Sequence, residues 1–204
     1  MAVAIEEGRK PVQARSIQRV CLMLDTARET IIESGVESLT MNQLAHNAKL
    51  PVGSVYQYFP SKRALLKTLL EHHLKVINDR VTKILNEIND KPSLLKGLRL
   101  ALTAIFELAY KDKLGYEIWV GTQFDPTLRK MQDDDGQNYT KILANKIAQV
   151  KGQDVTTKLL TQCTIYIVSL DACLRSVIDA DEKTQQAVMD EFGNLLQREL
   201  EISD

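Results

Sequence analysis

The sequence predicts an all-α protein. Apolar residues recur at intervals of three and four along most of its 204 residues, and no segment keeps the strict alternation of a half-buried strand. The segment ends carry capping residues, prolines and glycines where helices use them. With 44% hydrophobic residues, a chain of this length can bury a real core, as one large or two small domains.

In chain order, residues 1 to 12 read as a loose arm ending at Pro11, with Arg9, Lys10 and Arg15 more readily solvated than engaged with a nucleic-acid backbone. The first strong helix spans Val12 to Ser34, where Ile17, Val20, Cys21, Leu24, Ala27 and Ile31 form one buried stripe, and it stops at Gly35. Thr40 and Gln43 then make a capping box for a short helix with Leu44, Ala45 and Ala48 on its apolar side. A second short helix begins at Leu50-Pro51 and buries Val55 and Phe59. Two helices too short to be stable alone, joined by a tight turn, read as a helix-turn-helix whose second helix can enter a DNA major groove.

Pro60-Ser61 opens a long helix in which Leu65, Leu69, Ile77, Val81, Ile84 and Ile88 keep the helical period to about Asn89. At 1.5 Å per residue this helix reaches about 40 Å, far enough to leave the first domain and link it mechanically to the next. Asn89-Asp90-Lys91-Pro92 marks the boundary, and further helices are predicted near residues 92 to 111, 114 to 122, 126 to 150, 154 to 179 and 182 to 202. Asp125-Pro126, Asp154 and Asp181 supply their caps, and Gly152 a stop. Residues 160 to 170, LTQCTIYIVSL, are rich in β-branched residues, but Cys163, Ile167, Leu170, Leu174 and Ile178 carry helical spacing through them.

The stretch from Thr40 to Lys62 contains Ala48-Lys49-Leu50-Pro51, Gly53-Ser54-Val55-Tyr56, Tyr58-Phe59 and Ser61-Lys62. In these residues it resembles the DNA-binding segment of the TetR family of bacterial transcriptional repressors. Lys49 stands where that family usually has glycine, which predicts a left-handed lysine at a cost of roughly 1 kcal/mol. Pro51 stands where a serine cap is common, leaving backbone donors of the recognition helix free for a phosphate. The resemblance implies a TetR-like fold, with an N-terminal three-helix DNA-binding domain over residues 1–75 and a C-terminal helical ligand-binding and dimerisation domain over 76–204. It further implies a repressor that binds a palindromic operator in double-stranded DNA as a homodimer and answers to a small-molecule effector.

The same resemblance places Val52, Ser54 and Gln57 toward base edges, and Thr40, Asn42, Tyr56, Tyr58 and Lys62 toward phosphates or the groove wall. The chemistry agrees, since a glutamine can pair bidentately with adenine and a valine can meet a thymine methyl, while phenols and an ammonium suit phosphate oxygens. Phe59 is expected in the core, and for Tyr58 core packing stands level with DNA contact. The charge balance is compatible. Through Lys75 there are ten Lys and Arg against seven Asp and Glu, and after it sixteen against twenty, within a net charge of −1.

In the C-terminal half, Phe106, Tyr110, Tyr116, Trp119, Phe124, Tyr139 and Tyr166 are candidate walls of a ligand pocket, because tyrosine and tryptophan join apolar area to one polar handle. Phe106, Tyr110, Trp119 and Tyr166 are the ligand-binding residues carried forward, with ordinary core packing as the rival for each. Ile165, Val168, Ala172 and Ile178 on one helix, with Val188, Phe192, Leu195, Leu196 and Leu200 on the last, offer the surface for a two-fold four-helix interface, with closure of the monomer core as the rival; Ile165, Val168, Ala172, Phe192 and Leu196 are the expected seam.

Other chemistries find little footing. Cys21, Cys163 and Cys173 form no Cys-x-x-Cys pair or even disulfide framework, which fits a reducing cytoplasm, and neither a signal peptide nor a membrane span is apparent. His72 and His73 are adjacent and diverge on a helix, His46 belongs to the motif, and Asp133-Asp134-Asp135 reads as a solvated face. There is no P-loop, nucleophile elbow or paired-glycine fingerprint, so no enzyme, cofactor or metal is expected. The rival readings are a helical small-molecule-binding or interaction protein that does not bind DNA and, behind it, an enzyme built on the aromatic pocket.

Overall fold

A computed structural model describes residues 14–199, and every regular element among them is helical. The helices are α1 (Ala14–Ser34), α2 (Met41–Asn47), α3 (Val52–Tyr58), α4 (Lys62–Asn86), α5 (Lys91–Phe106), α6 (Lys113–Thr122), α7 (Pro126–Lys151), α8 (Thr157–Ser176) and α9 (Glu182–Glu199). A 3-10 turn at Val36–Ser38 follows α1, and a π-helical turn at Glu107–Lys111 extends α5. The terminal arm, the first residues of the expected first helix and Leu200 lie outside the described residues.

Most ends form for reasons legible in the chain. Asp90 and Ser93 make a reciprocal capping box at α5, the Asp125 carboxylate accepts from the amides of Thr127 and Leu128, and Asp181 accepts from Thr184. The start of α8 differs from expectation. Its cap is Thr156, whose hydroxyl accepts from Leu159 N, so the helix begins three residues after Asp154. Gly152, at φ +63°, closes α7 with the Gln153 amide bonded to Ala148 O, a turn that glycine enters without strain. The β-branched stretch 160 to 170 is helical throughout, since Leu159, Cys163, Tyr166, Leu170 and Leu174 give α8 a continuous buried side.

The chain divides into two compact units. Among the described residues, one comprises 14–74 with Lys113–Arg129; the other comprises Lys75–Asp112 with 130–199. In the first, α1 contacts α2 and α6, and α2 contacts α3. Helix α6 is anchored there by the Val36 amide, which donates to Glu117 Oε2 at 3.0 Å, and by Gly121, where a Cβ would lie 2.6 Å from a Val36 methyl. In the second, α5 and α8 contact α9, and a core cluster draws Ile77 and Ile84 from α4, Phe106 from α5, Ile147 from α7 and Leu174 from α8. Helix α4 runs unbroken from Lys62 to Asn86, and the division between the units falls within it, after Leu74.

Candidate nucleic-acid interface

The helix-turn-helix is built from two seven-residue helices. Thr40, in extended conformation, caps α2 by accepting from Gln43 N at 3.2 Å. The turn that follows is closed by a left-handed residue. Lys49 has φ +55°, and around it the Leu50 amide reaches back to Ala45 O at 2.9 Å while the Lys49 amide bonds His46 O at 3.1 Å. A lysine thus occupies a conformation that glycine would adopt more cheaply. Pro51 precedes α3 without a side-chain cap, and its carbonyl accepts from Ser54 N and Val55 N.

Sequence periodicity then divides α3 into two faces. Val55 is fully buried, Tyr58 is 2% exposed, and Phe59 just past the helix is fully buried. The opposite face presents Val52 and Tyr56, more than 40% exposed, with Gly53 and Gln57 also exposed. Thr40 and Asn42 are exposed at the start of α2, Ser54 is half-buried, and Lys62 is half-buried at the start of α4 with Nζ 3.5 Å from Glu37 O. Of the eight residues expected to meet DNA, the fold therefore gathers Val52, Tyr56 and Gln57 on one solvent-facing surface and Thr40 and Asn42 at an exposed helix start. Tyr58 points inward and serves the core. Ser61 anchors the next helix, its hydroxyl accepting from Ala64 N at 3.1 Å.

The second unit holds an apolar cavity of about 50 Å³. Each of its helices contributes to the wall: Val81 and Leu85 from α4, Leu102 and Ile105 from α5, Leu143 from α7, Leu170 from α8, Phe192 and Leu196 from α9. Tyr139 and Tyr166 also line it. Of the four aromatic residues carried forward as ligand contacts, Tyr166 is on this wall and the others are elsewhere. Phe106 and Tyr110 stack with ring centres 6.5 Å apart in the buried core. The Tyr110 hydroxyl donates to Asp171, which also accepts from Arg175. Burial pushes the Tyr110 phenol up to about 12, against the opposing pull of the Arg175 charge. Trp119 stacks on Tyr116 at 6.3 Å in the first unit, and Phe124 is 94% exposed.

The residues expected at a two-fold seam also separate. Ile165 and Val168 are 56% and 65% exposed, and Ala172 continues their stripe along α8, whereas Phe192 and Leu196 are buried within the unit itself. Burial raises the Cys163 thiol to about 11, the signature of an inert core cysteine. Among the described residues no three metal-ligating side chains cluster, and no helix is long and apolar enough to cross a membrane.

Residues 23–69 match the model of bacterial regulatory proteins of the tetR family, and residues 101–203 match that of the tetracycline-repressor-like C-terminal domain, which alone spans half of the chain. The chain belongs to the TetR family. Within it, the chain is 30% identical over 103 residues to the HTH-type transcriptional regulator YuxN of Bacillus subtilis, covering 50% of this chain and 34% of that one. It thus spans about a third of that relative's length. A TetR-family regulator from Streptomyces coelicolor superposes with a TM-score of 0.65 at 21% identity, over 89% of this chain and 97% of that one. AibR, solved in complex with isovaleryl coenzyme A and operator DNA, superposes with a TM-score of 0.59 at 16% identity, over 87% and 97%.

For this TetR-family chain, two features of the first unit escaped the sequence reading. Glu117 and Gly121 tie α6 to the turn after α1, although α6 lies between helices of the second unit in the chain. A carboxylate four residues before a glycine in an otherwise apolar helix was their one available signal.

Proposed function

We propose that this protein is a cytoplasmic transcriptional repressor, not an enzyme, that binds an inverted-repeat operator as a homodimer and whose grip on DNA is set by a small ligand. The observation that carries the reading is the two-faced α3, a short helix with one side fully committed to the core and the other offering Val52, Tyr56 and Gln57 to solvent. Gln57 pairs with an adenine edge, Val52 meets a thymine methyl, and Ser54 stands beside them. Tyr56, Thr40, Asn42 and Lys62 take the phosphates. Tyr58, 2% exposed, belongs to the side of α3 that holds the helix in the core.

Two further observations support the rest of the reading. The stripe of Ile165, Val168 and Ala172 is exposed apolar surface on a long helix, which a second copy would cover across a two-fold axis. The cavity offers an effector site whose wall includes Val81 and Leu85 of α4, the helix that also places Leu65 and Leu69 in the helix-turn-helix unit. A ligand that prefers one arrangement of that helix shifts DNA affinity by its differential binding, and about 5–150-fold is typical of such coupling. The structural neighbour AibR, holding both a coenzyme A ester and operator DNA, supports such a pairing of ligand and DNA on this fold.

The test is to retain fragments of the source genome on the protein and sequence them. An enriched inverted repeat, with half-site centres at least one helical turn apart, is the expected result. Retention that is uniform across sequences would overturn the reading in favour of a helical ligand-binding or interaction protein.

A further inference from the structure

The cavity's polar chemistry is unusually sparse and specific. None of the described residues lining it is charged, and its exposed wall is formed by aliphatic side chains and aromatic rings. Two of the lining residues, Tyr139 and Tyr166, carry a hydroxyl, and of these two that of Tyr139 is the one buried without a hydrogen-bond partner among the described residues. One turn earlier on α7, Asp135 is occupied by Asn78, whose Nδ2 donates to Oδ1 at 2.8 Å. Burial raises the Asp135 carboxyl, and burial with the Asp135 charge raises the Tyr139 phenol, so the phenol keeps its proton, and that buried O–H needs an acceptor.

Resting on the reading of this cavity as the effector site, we propose that its ligand is an uncharged, largely hydrocarbon molecule carrying one carbonyl-type acceptor, which takes the hydrogen bond of the Tyr139 hydroxyl. A carboxylate in that place would sit near Asp135 with no cation on the wall among the described residues, and a purely hydrocarbon ligand would leave the phenol unsatisfied. At about 50 Å³ the cavity is also far below the roughly 300 Å³ at which small-molecule sites begin. An occupant therefore pushes its walls apart, Val81 and Leu85 of α4 among them.

Three probes share one skeleton and isolate the terms: butylbenzene, butyrophenone and 4-phenylbutyrate. Their affinities for the full chain are measured by calorimetry, for wild type and for Tyr139→Phe, a substitution that keeps the ring and removes only an unpartnered hydroxyl. Wild type should bind butyrophenone roughly two- to tenfold more tightly than butylbenzene, the range of one net hydrogen bond, and 4-phenylbutyrate most weakly. In Tyr139→Phe the ketone's advantage should vanish while butylbenzene binding is kept. A ketone preference that survives Tyr139→Phe, a preference for the carboxylate, or binding of none of the three overturns the proposal. Binding with the expected order but no effect on affinity for the enriched DNA fragments upholds the ligand assignment and overturns instead the ligand-responsive part of the function above.

Discussion

The helix-turn-helix unit and the cavity unit spend their side chains differently. On α3 the residues that hold the helix, Val55 with Tyr58 and then Phe59, are distinct from those it presents, Val52, Tyr56 and Gln57. In the cavity unit, Phe192, Leu196, Leu170 and Leu102 belong at once to the core and to the wall of the cavity. Separate faces allow function to be removed with the fold intact. Shared residues do not, so a ligand in the cavity must act on the same contacts that keep the unit folded.

The largest expected effect sharpens that contrast inside the second unit. Leu196 is 3% exposed, and Leu196→Glu places an unpaired charge in its core, at a cost of about 3–5 kcal/mol. Val168, 65% exposed on α8, is the opposite case: Val168→Glu should leave the urea-unfolding midpoint of the monomer nearly unchanged while sedimentation shifts from dimer to monomer. A folded, monomeric Leu196→Glu would break the distinction between wall and seam.

Next comes the anchorage of α6. Gly121→Ala would put a methyl 2.6 Å from Val36, and the overpacking should cost about 1–3 kcal/mol. Val36→Ala in the same chain should recover part of that loss in urea unfolding, because it removes the atoms the new methyl meets. If the double variant is no better than the single one, Val36 is not what confines this glycine.

A smaller gain is expected at the turn between α2 and α3. With Lys49 at φ +55°, Lys49→Gly should stabilise the unit by up to about 1 kcal/mol, offset in part by the greater freedom of glycine in the unfolded chain. The midpoint of urea unfolding reports it, and a loss of stability would mean that the lysine side chain makes compensating contacts.

The subtlest effect depends on pH. His72 lies in the helix-turn-helix unit with Nδ1 3.1 Å from an Arg28 guanidinium nitrogen, and Arg28 also bonds Asp25 at 2.7 Å. Burial first, and the Arg28 charge second, hold the His72 imidazole below its ordinary 6.5. The folded state thus favours neutral His72, and the unfolded chain binds more protons over the window from 6.5 down to the folded value. Stability from this pair is present above 6.5 and is lost as pH falls through that window. Melting curves from pH 8 to pH 5 should fall less for His72→Asn than for wild type, and equal slopes would remove His72 from the account.

What could be read from the sequence follows the same division. Thr40, Asp125 and Asp181 were legible because a cap ties a residue type to one backbone hydrogen bond, and Lys49 because it stands where the resembled TetR segment usually has the glycine that a left-handed position favours. Tyr58 was open because a tyrosine suits both a core and a phosphate, and burial alone separates them. The cavity was barely legible. Leu102, Leu143 and Ile105 follow the period of any core-facing residue, and aromatic character directed attention to Phe106 and Trp119, which serve packing and another unit. The start of α8 was misread at Asp154 because Thr156 satisfies the same rule and stands closer to the first buried turn.

The central claim is that the exposed face of α3 reads bases while its surroundings grip phosphates. It is tested most directly by titrating wild type, Gln57→Ala and Lys62→Ala against the enriched operator and base-substituted versions of it at several salt concentrations. Gln57→Ala should lose roughly 1–3 kcal/mol on the native site, relax preference at one position per half-site and keep the wild-type salt slope. Lys62→Ala should weaken all sequences nearly alike and lower the salt slope by about one per subunit. A Gln57→Ala protein that keeps both the affinity and the base preference of wild type would contradict the account.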